Sequence, residues 1–404
     1  MIDHRRLGRE LELFVSDPLA GAGLPIWLPA GAAARHAVEE YVRELERRAG
    51  YQHVYSPPLG RRELFALSGH LGHFADEMFP PMRLGGDELL LRPALCPHHA
   101  LVYRARGRSY RELPLRVGEL GGMYRAERSG VLGGLARVRA ISLNDAHNFC
   151  TLDQVGDEVR EILRLIRQAH AALGVRPAGF RLSLRGPGAR YVGDDASWAR
   201  AEELLRAALD GVDHVAAPGE AAFYGPKIDI QVVDPAGRES TISTVQIDFD
   251  KPEKFDLSYT DAAGARRRPV LVHRSLVGSM ERLFAYLIEA HEGAFPPWYA
   301  PVQLLLLPVD AGQADAVDRL ARLAADAGLR VEVDAGGSLG ARVRDAARRR
   351  VPYVGVLGAR EAADDAVALR LRDGRSLDPM PAADAVRLIG AVVAARSAEL
   401  LPAG

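Results

Sequence analysis

Residues 272–282 of the chain read VHRSLVGSMER, residues 144–150 read NDAHNFC and residues 92–99 read RPALCPHH. Each of the three segments contains at least one side chain that can bind zinc, and the candidates singled out, one from each segment, are Cys96, His147 and His273. They are 51 and 126 positions apart, so no local zinc-finger spacing predicts them. A single cysteine is most often a buried apolar residue, and a single histidine is usually a satisfied core or surface residue. The significance of the three residues therefore depends on the segments around them.

The composition indicates a globular chain from a reducing compartment. With 404 residues and 48% hydrophobic content, the chain can bury one large core and a second, smaller one. The 52 basic and 53 acidic residues nearly cancel, so any nucleic-acid surface must be a local patch. Two cysteines do not support a disulfide framework, the amino terminus lacks the apolar stretch of a secretory signal, and no apolar run approaches a membrane span. We therefore expect a cytoplasmic protein without a membrane partner.

The pattern of apolar residues changes near residue 300, which predicts two domains, residues 1–296 and 297–404. Before the change, helical stretches alternate with short β-rich runs, which is typical of an antiparallel sheet flanked by helices. Residues 233–237 carry Pro and Gly where a hairpin reverses. The proline-rich residues 295–301 disfavour helix and predict an extended linker. After them, alternating strands and helices predict a small α/β domain with a mostly parallel sheet.

An arginine-rich segment lies between the segments that contain Cys96 and His147. Residues 124–130 read YRAERSG and are followed by Arg137-Val138-Arg139. Taken alone, such a segment is most simply a solvated loop, yet the guanidinium fork of arginine also matches phosphate oxygens better than other side chains. In this segment and in the segments around Cys96, His147 and His273, the chain resembles the threonyl-tRNA synthetases, a family of class II aminoacyl-tRNA synthetases. Further segments that resemble the family occur along almost the whole chain, including residues 223–229 (FYGPKID), 244–249 (TVQIDF) and 350–353 (RVPY).

The resemblance implies the fold, the reaction and the role of each site residue. The fold would be a class II antiparallel sheet with a small carboxy-terminal anticodon-binding domain, and the reaction an ATP-dependent activation of threonine followed by transfer to tRNA. The catalytic residues would be Arg125, Arg282 and Lys227. ATP with Mg²⁺ would be bound by Arg125, Glu127, Arg137, Ile141, Thr241 and Arg282. The amino acid would be bound by Ala94, Leu143, Asp145, Tyr224 and Gln246.

The resemblance also implies a metal and a dimer. One zinc ion per chain would be held by Cys96, His147 and His273, which leaves coordination positions that the amine and hydroxyl of a β-hydroxy amino acid can fill. Valine lacks the hydroxyl and would be rejected, whereas serine would not. Pro57 lies in a segment similar to the first class II signature, which forms the dimer interface in the family. The resemblance further implies a truncated form without the amino-terminal and editing domains.

Several positions depart from the family pattern, and they leave the function open to alternatives. Ile141 stands where a phenylalanine would stack on adenine, and losing that stack costs about 1 kcal/mol of nucleotide affinity. Leu143 replaces a glutamine, Ala94-Leu95 a Met-Asn pair, His98 a glycine, and residues 240–243 (STIS) a Trp-Gln-Cys-Gly stretch. These changes predict a roomier, less polar amino-acid pocket. The alternatives are a paralogue that loads a carrier protein or a small metabolite, and a catalytically weak regulatory paralogue.

The predicted tRNA partner requires a basic patch in the carboxy-terminal domain. The candidates are Arg342, Arg344, Arg348, Arg349, Arg350, Arg370, Arg372 and Arg375. A helix over residues 339–350 could equally present its arginines to solvent, and the family residues ahead of it are replaced by Gly336-Gly337-Ser338. The acceptor is therefore predicted to be tRNA, with the carrier protein or metabolite as the alternative.

Overall fold

The computed structural model describes residues 2–188 and 191–402. In this part of the chain the α-helices are α1 (His4–Glu10), α2 (Pro29–Arg48), α3 (Arg62–Leu67), α4 (His70–His73), α5 (Cys96–Arg104), α6 (Val155–Leu173), α7 (Asp195–Ala208), α8 (Asp250–Lys254), α9 (Met280–Ala290), α10 (Ala314–Asp326), α11 (Leu339–Arg348), α12 (Ala359–Ala363) and α13 (Ala382–Ala394). Short 3-10 helices cover Ala75–Glu77, Tyr110–Glu112, Ser129–Val131, Pro297–Tyr299 and Ala311–Gln313.

The strands follow the same chain-order numbering. They are β1 (Phe14–Val15), β2 (Ile26–Trp27), β3 (Gln52–His53), β4 (Leu59–Arg61), β5 (Met82–Leu84), β6 (Asp87–Leu91), β7 (Leu115–Tyr124), β8 (Ala140–Cys150), β9 (Gly179–Leu184), β10 (His214–Pro218), β11 (Lys227–Val233), β12 (Glu239–Asp248), β13 (Tyr259–Thr260), β14 (Arg266–Arg267), β15 (Val270–Ser275), β16 (Leu304–Pro308), β17 (Val331–Val333), β18 (Tyr353–Leu357), β19 (Ala366–Leu371) and β20 (Met380–Pro381).

The larger sheet has the strand order β10-β9-β11-β12-β15-β8-β7-β3. Its neighbouring strands from β9 to β7 pair antiparallel, and only the two outermost pairs, β10 with β9 and β3 with β7, are parallel. The hairpin predicted at residues 233–237 joins β11 to β12. The predicted class, an antiparallel-rich sheet flanked by helices, is confirmed.

Helix α6 supports this sheet from one side. Its residues Val155, Val159, Ile162 and Ile166 recur at helical spacing and are fully or almost fully buried in the largest apolar core. Burial of each such side chain contributes roughly 1.5–3 kcal/mol. Acidic side chains occupy the first turn, and the helix ends at Gly174, whose φ of 73° lies in the left-handed region that glycine adopts without strain. The helix packs against β12 and β15, so it fixes two strands that carry the site described below.

The carboxy-terminal sheet has the order β17-β16-β18-β19-β20. Strands β17, β16 and β18 are parallel, as predicted, while β19 and β20 pair antiparallel. Helix α13 was not predicted from the sequence. Its buried face nevertheless carries Ala385, Val386, Ile389 and Val392.

The expectation of an extended linker at residues 295–301 is wrong. Pro297 begins a turn of 3-10 helix, a position at which its missing N–H removes no hydrogen bond. Phe295, Trp298 and Tyr299 are buried in the core of the larger domain, and Trp298 Nε1 donates to the carbonyl of Ala172 over 3.0 Å. The prolines therefore shape a buried connection. Among the described residues, none of the helices has the length and apolar character to cross a membrane.

Candidate active site

Three adjacent strands bring the site together through their register. His147 on β8 lies directly opposite His273 on β15, and His273 lies directly opposite Gln246 on β12. Because directly paired residues project from the same face of a sheet, the three side chains form a row across it. His147 Nε2 and His273 Nδ1 are 2.9 Å apart. The predicted juxtaposition of the two histidines is therefore present.

Cys96 completes the group from outside the sheet. It begins helix α5, and its buried thiol lies where one ligand atom of Cys96, of His147 and of His273 are all within 4.8 Å of one another. Burial raises the pKa of the Cys96 thiol to about 12. One sulfur and two imidazole nitrogens on separate elements form a ligand set that suits zinc.

The outward nitrogens of both histidines are hydrogen-bonded to buried partners. His273 Nε2 lies 2.8 Å from Asp248 Oδ2, and His147 Nδ1 lies 2.7 Å from His99 Nδ1. His99 Nε2 in turn lies 3.0 Å from Glu119 Oε2. The sequence patterns identified none of Asp248, His99 and Glu119. The one signal for Asp248 is that it falls two residues after Gln246 on a strand, and hence on the same face.

Both carboxyl groups behind the histidines are ionised. Burial alone would raise the pKa of Glu119, but hydrogen bonds from His99 and Ser56 and the charge of Arg92 outweigh it and lower that pKa to about 2. Burial likewise opposes ionisation of Asp248, but the Lys251 charge and the hydrogen bond from His273 lower its pKa below the ordinary value. An ionised carboxylate only accepts hydrogen bonds. The imidazole nitrogens facing Glu119 and Asp248 must therefore carry the hydrogens.

A cavity of about 270 Å³ opens beside the three-ligand group. Twelve of the predicted site residues line it, namely Ala94, Cys96, Arg125, Ile141, Leu143, Asp145, His147, Tyr224, Thr241, Gln246, His273 and Arg282. Alternation along β8 explains part of this set, because Leu143, Asp145 and His147 project into the cavity while Ala146 packs into the core behind the sheet.

One end of the cavity is polar and lies next to the metal-ligand group. Tyr224 donates its hydroxyl to Gln246, and burial raises the pKa of Tyr224 well above its ordinary value. Burial also raises the pKa of Asp145 to about 7, with Glu119 adding to the shift and Arg274 opposing it. A cationic amino group placed beside Asp145 would favour its carboxylate form.

The other end of the cavity carries two arginines and apolar side chains. Arg125 follows strand β7, and Arg282 lies in the first turn of α9, where the Ser279 side chain caps the helix. Ile141 and Thr241 also line the cavity. Thr241 and Ile242 both reach it because a bulge in β12 disturbs the alternation of side chains at this point.

Three predicted residues lie outside the lining of the cavity. Glu127 accepts a hydrogen bond of 2.8 Å from Arg137, so these two form an ion pair with each other. Lys227 donates to Asp229 Oδ2 over 2.7 Å. Residues that the sequence did not single out line it as well, and they include Met123, Thr244, Arg274 and Ser275.

The described residues contain a second group of potential metal ligands, Asp3, His4 and Glu289. His4 Nδ1 is 2.7 Å from Glu289 Oε1, and its Nε2 accepts a hydrogen bond of 3.2 Å from the Leu135 N–H. Because both ring nitrogens already have partners, this histidine has a structural role.

Comparisons with known proteins agree with the fold. The family description "tRNA synthetase class II core domain (G, H, P, S and T)" matches residues 81–291, and "Anticodon binding domain" matches residues 303–391. A solved structure described as the RNA binding domain of threonyl-tRNA synthetase from Cryptosporidium parvum Iowa II is 33% identical, with a TM-score of 0.91 over 96% of this chain and 98% of that one. The chain belongs to the threonyl-tRNA synthetase family of class II aminoacyl-tRNA synthetases. The resemblance to the threonyl-tRNA synthetases that was inferred from the sequence motifs is thus confirmed.

Curated members of the family are longer than this chain. The Threonine--tRNA ligase of Geobacillus sp. (strain WCH70) is 45% identical over 97% of this chain and 62% of its own length. The Threonine--tRNA ligase of Listeria welshimeri is 46% identical over 94% of this chain and 60% of its own length. The chain thus spans about three fifths of the curated relatives it matches. A prolyl-tRNA synthetase from Giardia lamblia shares the fold at 19% identity, with a TM-score of 0.71, 96% of this chain and 75% of that one being covered.

The structure also bears on the predicted basic patch of this family member. Arg342 is buried and donates to the carbonyls of Pro308 and Asp334, each over 2.8 Å, so it is a structural residue and does not belong to an exposed patch. Arg372 is half-buried and donates to the carbonyls of Phe295 and Arg350, so it too has a structural role. Arg348, Arg349 and Arg375 form ion pairs with nearby carboxylates. The candidates that are exposed and for which no ion pair is recorded among the described residues are Arg344, Arg350 and Arg370.

Proposed function

We propose that the chain activates threonine, or a related β-hydroxy amino acid, with ATP as an aminoacyl-adenylate and transfers it to tRNA. One observation carries the proposal: a single cavity has a three-ligand metal group and hydrogen-bonding side chains at one end and two arginines at the other. An enzyme that joins an amino acid to the α-phosphate of ATP requires these two ends side by side.

In the activation step, a carboxylate oxygen of the amino acid attacks the α-phosphorus of ATP and pyrophosphate leaves. Negative charge develops on the α-phosphate oxygens, and Arg125 is proposed to stabilise it through its guanidinium. Arg282 is proposed to hold the adenine in place from the α9 side of the cavity. Glu127 and Arg137, paired with each other beside this end, are proposed to reach the adenine amino group and the outer phosphates when ATP with Mg²⁺ binds. Lys227 is proposed to contact phosphate after leaving Asp229.

At the other end, Asp145, Tyr224 and Gln246 are proposed to bind the amino acid. The Tyr224 hydroxyl and the Gln246 amide are already oriented by their mutual hydrogen bond. Asp145 offers its carboxylate to the amino group. Ala94 and Leu143 supply the less polar part of the wall.

We further propose that Cys96, His147 and His273 hold one zinc ion. His99 donates to Glu119 through Nε2, so a neutral His99 accepts through Nδ1 from His147 Nδ1, and His273 donates to Asp248 through Nε2. His147 Nε2 and His273 Nδ1 therefore carry no hydrogen, and they face each other across 2.9 Å. A shared proton would relieve the repulsion, but burial, with His273 and His99 adding to it, lowers the pKa of His147 well below its ordinary value. The residues therefore fit a soft cation. Bound zinc supplies a Lewis-acidic position that the amine and hydroxyl of a β-hydroxy amino acid can occupy.

The acceptor is proposed to be tRNA, because the carboxy-terminal residues match an anticodon-binding domain. A homodimer through the segment around Pro57 is also proposed. The neighbouring Tyr55 side chain is 90% exposed and is therefore accessible to a second copy. Size-exclusion chromatography with light scattering distinguishes the dimer from a monomer.

ATP–pyrophosphate exchange, screened across all amino acids, tests the activation step. We expect exchange that depends on threonine or another β-hydroxy amino acid, and charging of threonine tRNA in a parallel assay. Absence of exchange with every amino acid would overturn the enzymatic proposal. Robust exchange without charging of any tRNA from the same source would overturn the tRNA acceptor and favour a carrier protein or metabolite.

A further inference from the structure

Two adjacent histidines on helix α5 have different environments. His98 lies 3.3 Å from the carbonyl oxygen of Leu59 through Nε2, whereas His99 faces the metal-ligand group and lies 2.7 Å from His147. Both side chains are buried, with exposed fractions of 5% and 0%. Helix spacing relative to Cys96 favours His99, because positions three apart share a face of a helix whereas positions two apart do not.

The hydrogen on each ring can be assigned along the chain of contacts. Glu119 is an ionised acceptor, so His99 Nε2 donates to it over 3.0 Å. A neutral His99 then has a bare Nδ1, which accepts from His147 Nδ1 over 2.7 Å. His147 consequently has a bare Nε2, the atom that faces His273. Tautomers in buried histidines are set by such contacts.

Glu119 is itself held in place by three further contacts. It accepts hydrogen bonds from the Ser56 backbone N–H over 3.2 Å, from the Ser56 hydroxyl over 2.6 Å and from Arg92 Nη2 over 3.0 Å. Arg92 also donates to the carbonyl of Gly122. These contacts leave the carboxylate little freedom to turn away from His99.

His273 has a comparable arrangement on the opposite side. Its Nε2 donates to Asp248 Oδ2 over 2.8 Å, and the Lys251 backbone N–H donates to Asp248 Oδ1 over 2.9 Å. The buried Lys251 ammonium lies 3.9 Å from Asp248 and provides its counter-charge. Lysine is rare in this chain, which has only Lys227, Lys251 and Lys254, and Lys251 is buried, so it does not belong to a solvated surface loop.

We propose that His99, backed by Glu119, and Asp248, backed by Lys251, are positioning residues that fix the tautomers of His147 and His273 and present one bare nitrogen of each to the metal. This inference rests on the proposed zinc site. Partners of this kind in other metal sites change affinity by about 10- to 100-fold when removed. The same arrangement links the metal-ligand group to Ser56, beside the segment proposed to form the dimer.

The test uses the 404-residue chain with four binding variants, His99→Leu, His99→Gln, His98→Leu and Asp248→Ala, and with His147→Gln for assignment. His99→Leu removes the acceptor for His147, whereas His99→Gln retains an amide oxygen to accept from His147 and an amide N–H to donate to Glu119. His98→Leu is the matched control, because it removes a buried histidine from the same helix turn without touching the ligand group. Zinc affinity is measured by competition with a chromophoric chelator. In metal-free protein labelled with ¹⁵N-histidine, the tautomer of His147 is read from its ¹⁵N shifts, assigned with His147→Gln.

We expect His99→Leu to weaken zinc binding by about 10- to 100-fold, His99→Gln to restore much of the loss, and His98→Leu to match the wild type. The metal-free wild type should carry its hydrogen on Nδ1 of His147, and His99→Leu should give a mixture of tautomers. Asp248→Ala should weaken zinc binding in the same range. Equal zinc affinities for His99→Leu and His98→Leu would overturn the inference, as would an Nε2–H tautomer of His147 in the metal-free wild type. If the wild type binds no zinc but His99 still sets the tautomer, the zinc proposal fails while the positioning role stands.

Discussion

His147 and His273 are directly opposite each other on β8 and β15, with His147 Nε2 and His273 Nδ1 2.9 Å apart. A slip of one residue between these strands would turn one histidine to the other face of the sheet, because side chains alternate along a strand. The register is secured by the apolar residues behind the strands, including Ala146 and Val272, which are buried in the largest core. The packing of that core thus determines whether the two nitrogens meet.

The first prediction concerns the metal. Protein purified without chelator should contain about one zinc ion per chain, and Cys96→Ala or His273→Ala should lose it, because a tetrahedral site cannot be completed from the two remaining ligands. Cys150→Ala is the matched control, since Cys150 is also a buried free cysteine but lies outside the ligand group. Elemental analysis of each variant gives the result. A wild type without metal, or an equal loss of zinc from Cys150→Ala, would contradict the prediction.

The second prediction concerns the α-phosphate. Arg125→Ala should lower ATP–pyrophosphate exchange by on the order of a hundredfold or more, as for other groups directed at charge that develops in a transition state. Arg128 is an exposed arginine of the same segment that does not line the cavity, so Arg128→Ala serves as the control. Similar exchange rates for the two variants would show that Arg125 has been assigned the wrong role.

The third prediction concerns the choice of amino acid. Ala94 and Leu143 both line the cavity, and each is smaller or less polar than the family pattern has at that position. Serine, or a β-hydroxy amino acid larger than threonine, should therefore compete better in exchange than it does with an ordinary threonyl enzyme. Leu143→Gln should shift the preference back towards threonine. The measurement is a competitive exchange assay, and strict selectivity for threonine in the unaltered chain would speak against any effect of these positions.

Sequence reasoning found the ligand group because Cys96, His147 and His273 each lie in a distinctive segment, and twelve of the predicted residues line one cavity. It failed where the outcome depends on packing. The linker was expected to be extended from its prolines alone, but burial of Phe295, Trp298 and Tyr299 decided its shape. Arg342 was predicted to belong to an exposed patch, but its guanidinium is buried and donates to two backbone carbonyls. His99 lies three residues after Cys96 on the same face of α5, and this partner could be recognised only once the helix was known to begin at Cys96.

The fourth prediction concerns stability against pH. His170 is buried in α6, its Nε2 donates to Ser243 Oγ over 2.7 Å because that hydroxyl already donates to the carbonyl of Leu276, and its Nδ1 has no hydrogen-bond partner. Burial lowers its pKa from 6.5 to about 4. The unfolded chain therefore takes up a proton first on acidification, and the contribution present above pH 6.5 is lost as the pH falls towards 4.

At pH 5 this histidine alone should reduce the free energy of unfolding by about 2 kcal/mol relative to pH 7.5. His170→Gln retains a donor for Ser243 but cannot be protonated, so its unfolding free energy should fall less over the same interval. Denaturant unfolding of both proteins at the two pH values gives the comparison. An equal fall for both would show that His170 is already protonated in the folded protein or does not titrate on unfolding.

The fifth prediction concerns the tRNA acceptor. Arg344, Arg350 and Arg370 are exposed in the carboxy-terminal domain, and no ion pair is recorded for them in the described part of the chain. Arginines free of protein carboxylates can neutralise phosphates, and each such contact makes binding more sensitive to salt. Combined substitution of the three by Ala should therefore weaken tRNA binding and flatten its dependence on salt.

Arg348→Ala and Arg375→Ala are the controls, because those guanidinium groups already pair with Asp345 and Asp373. Exchange with ATP and the amino acid is measured in parallel and should stay at the level of the unaltered chain, since that step needs no tRNA. Unchanged tRNA affinity and an unchanged salt slope in the triple variant would place the tRNA surface elsewhere on the domain.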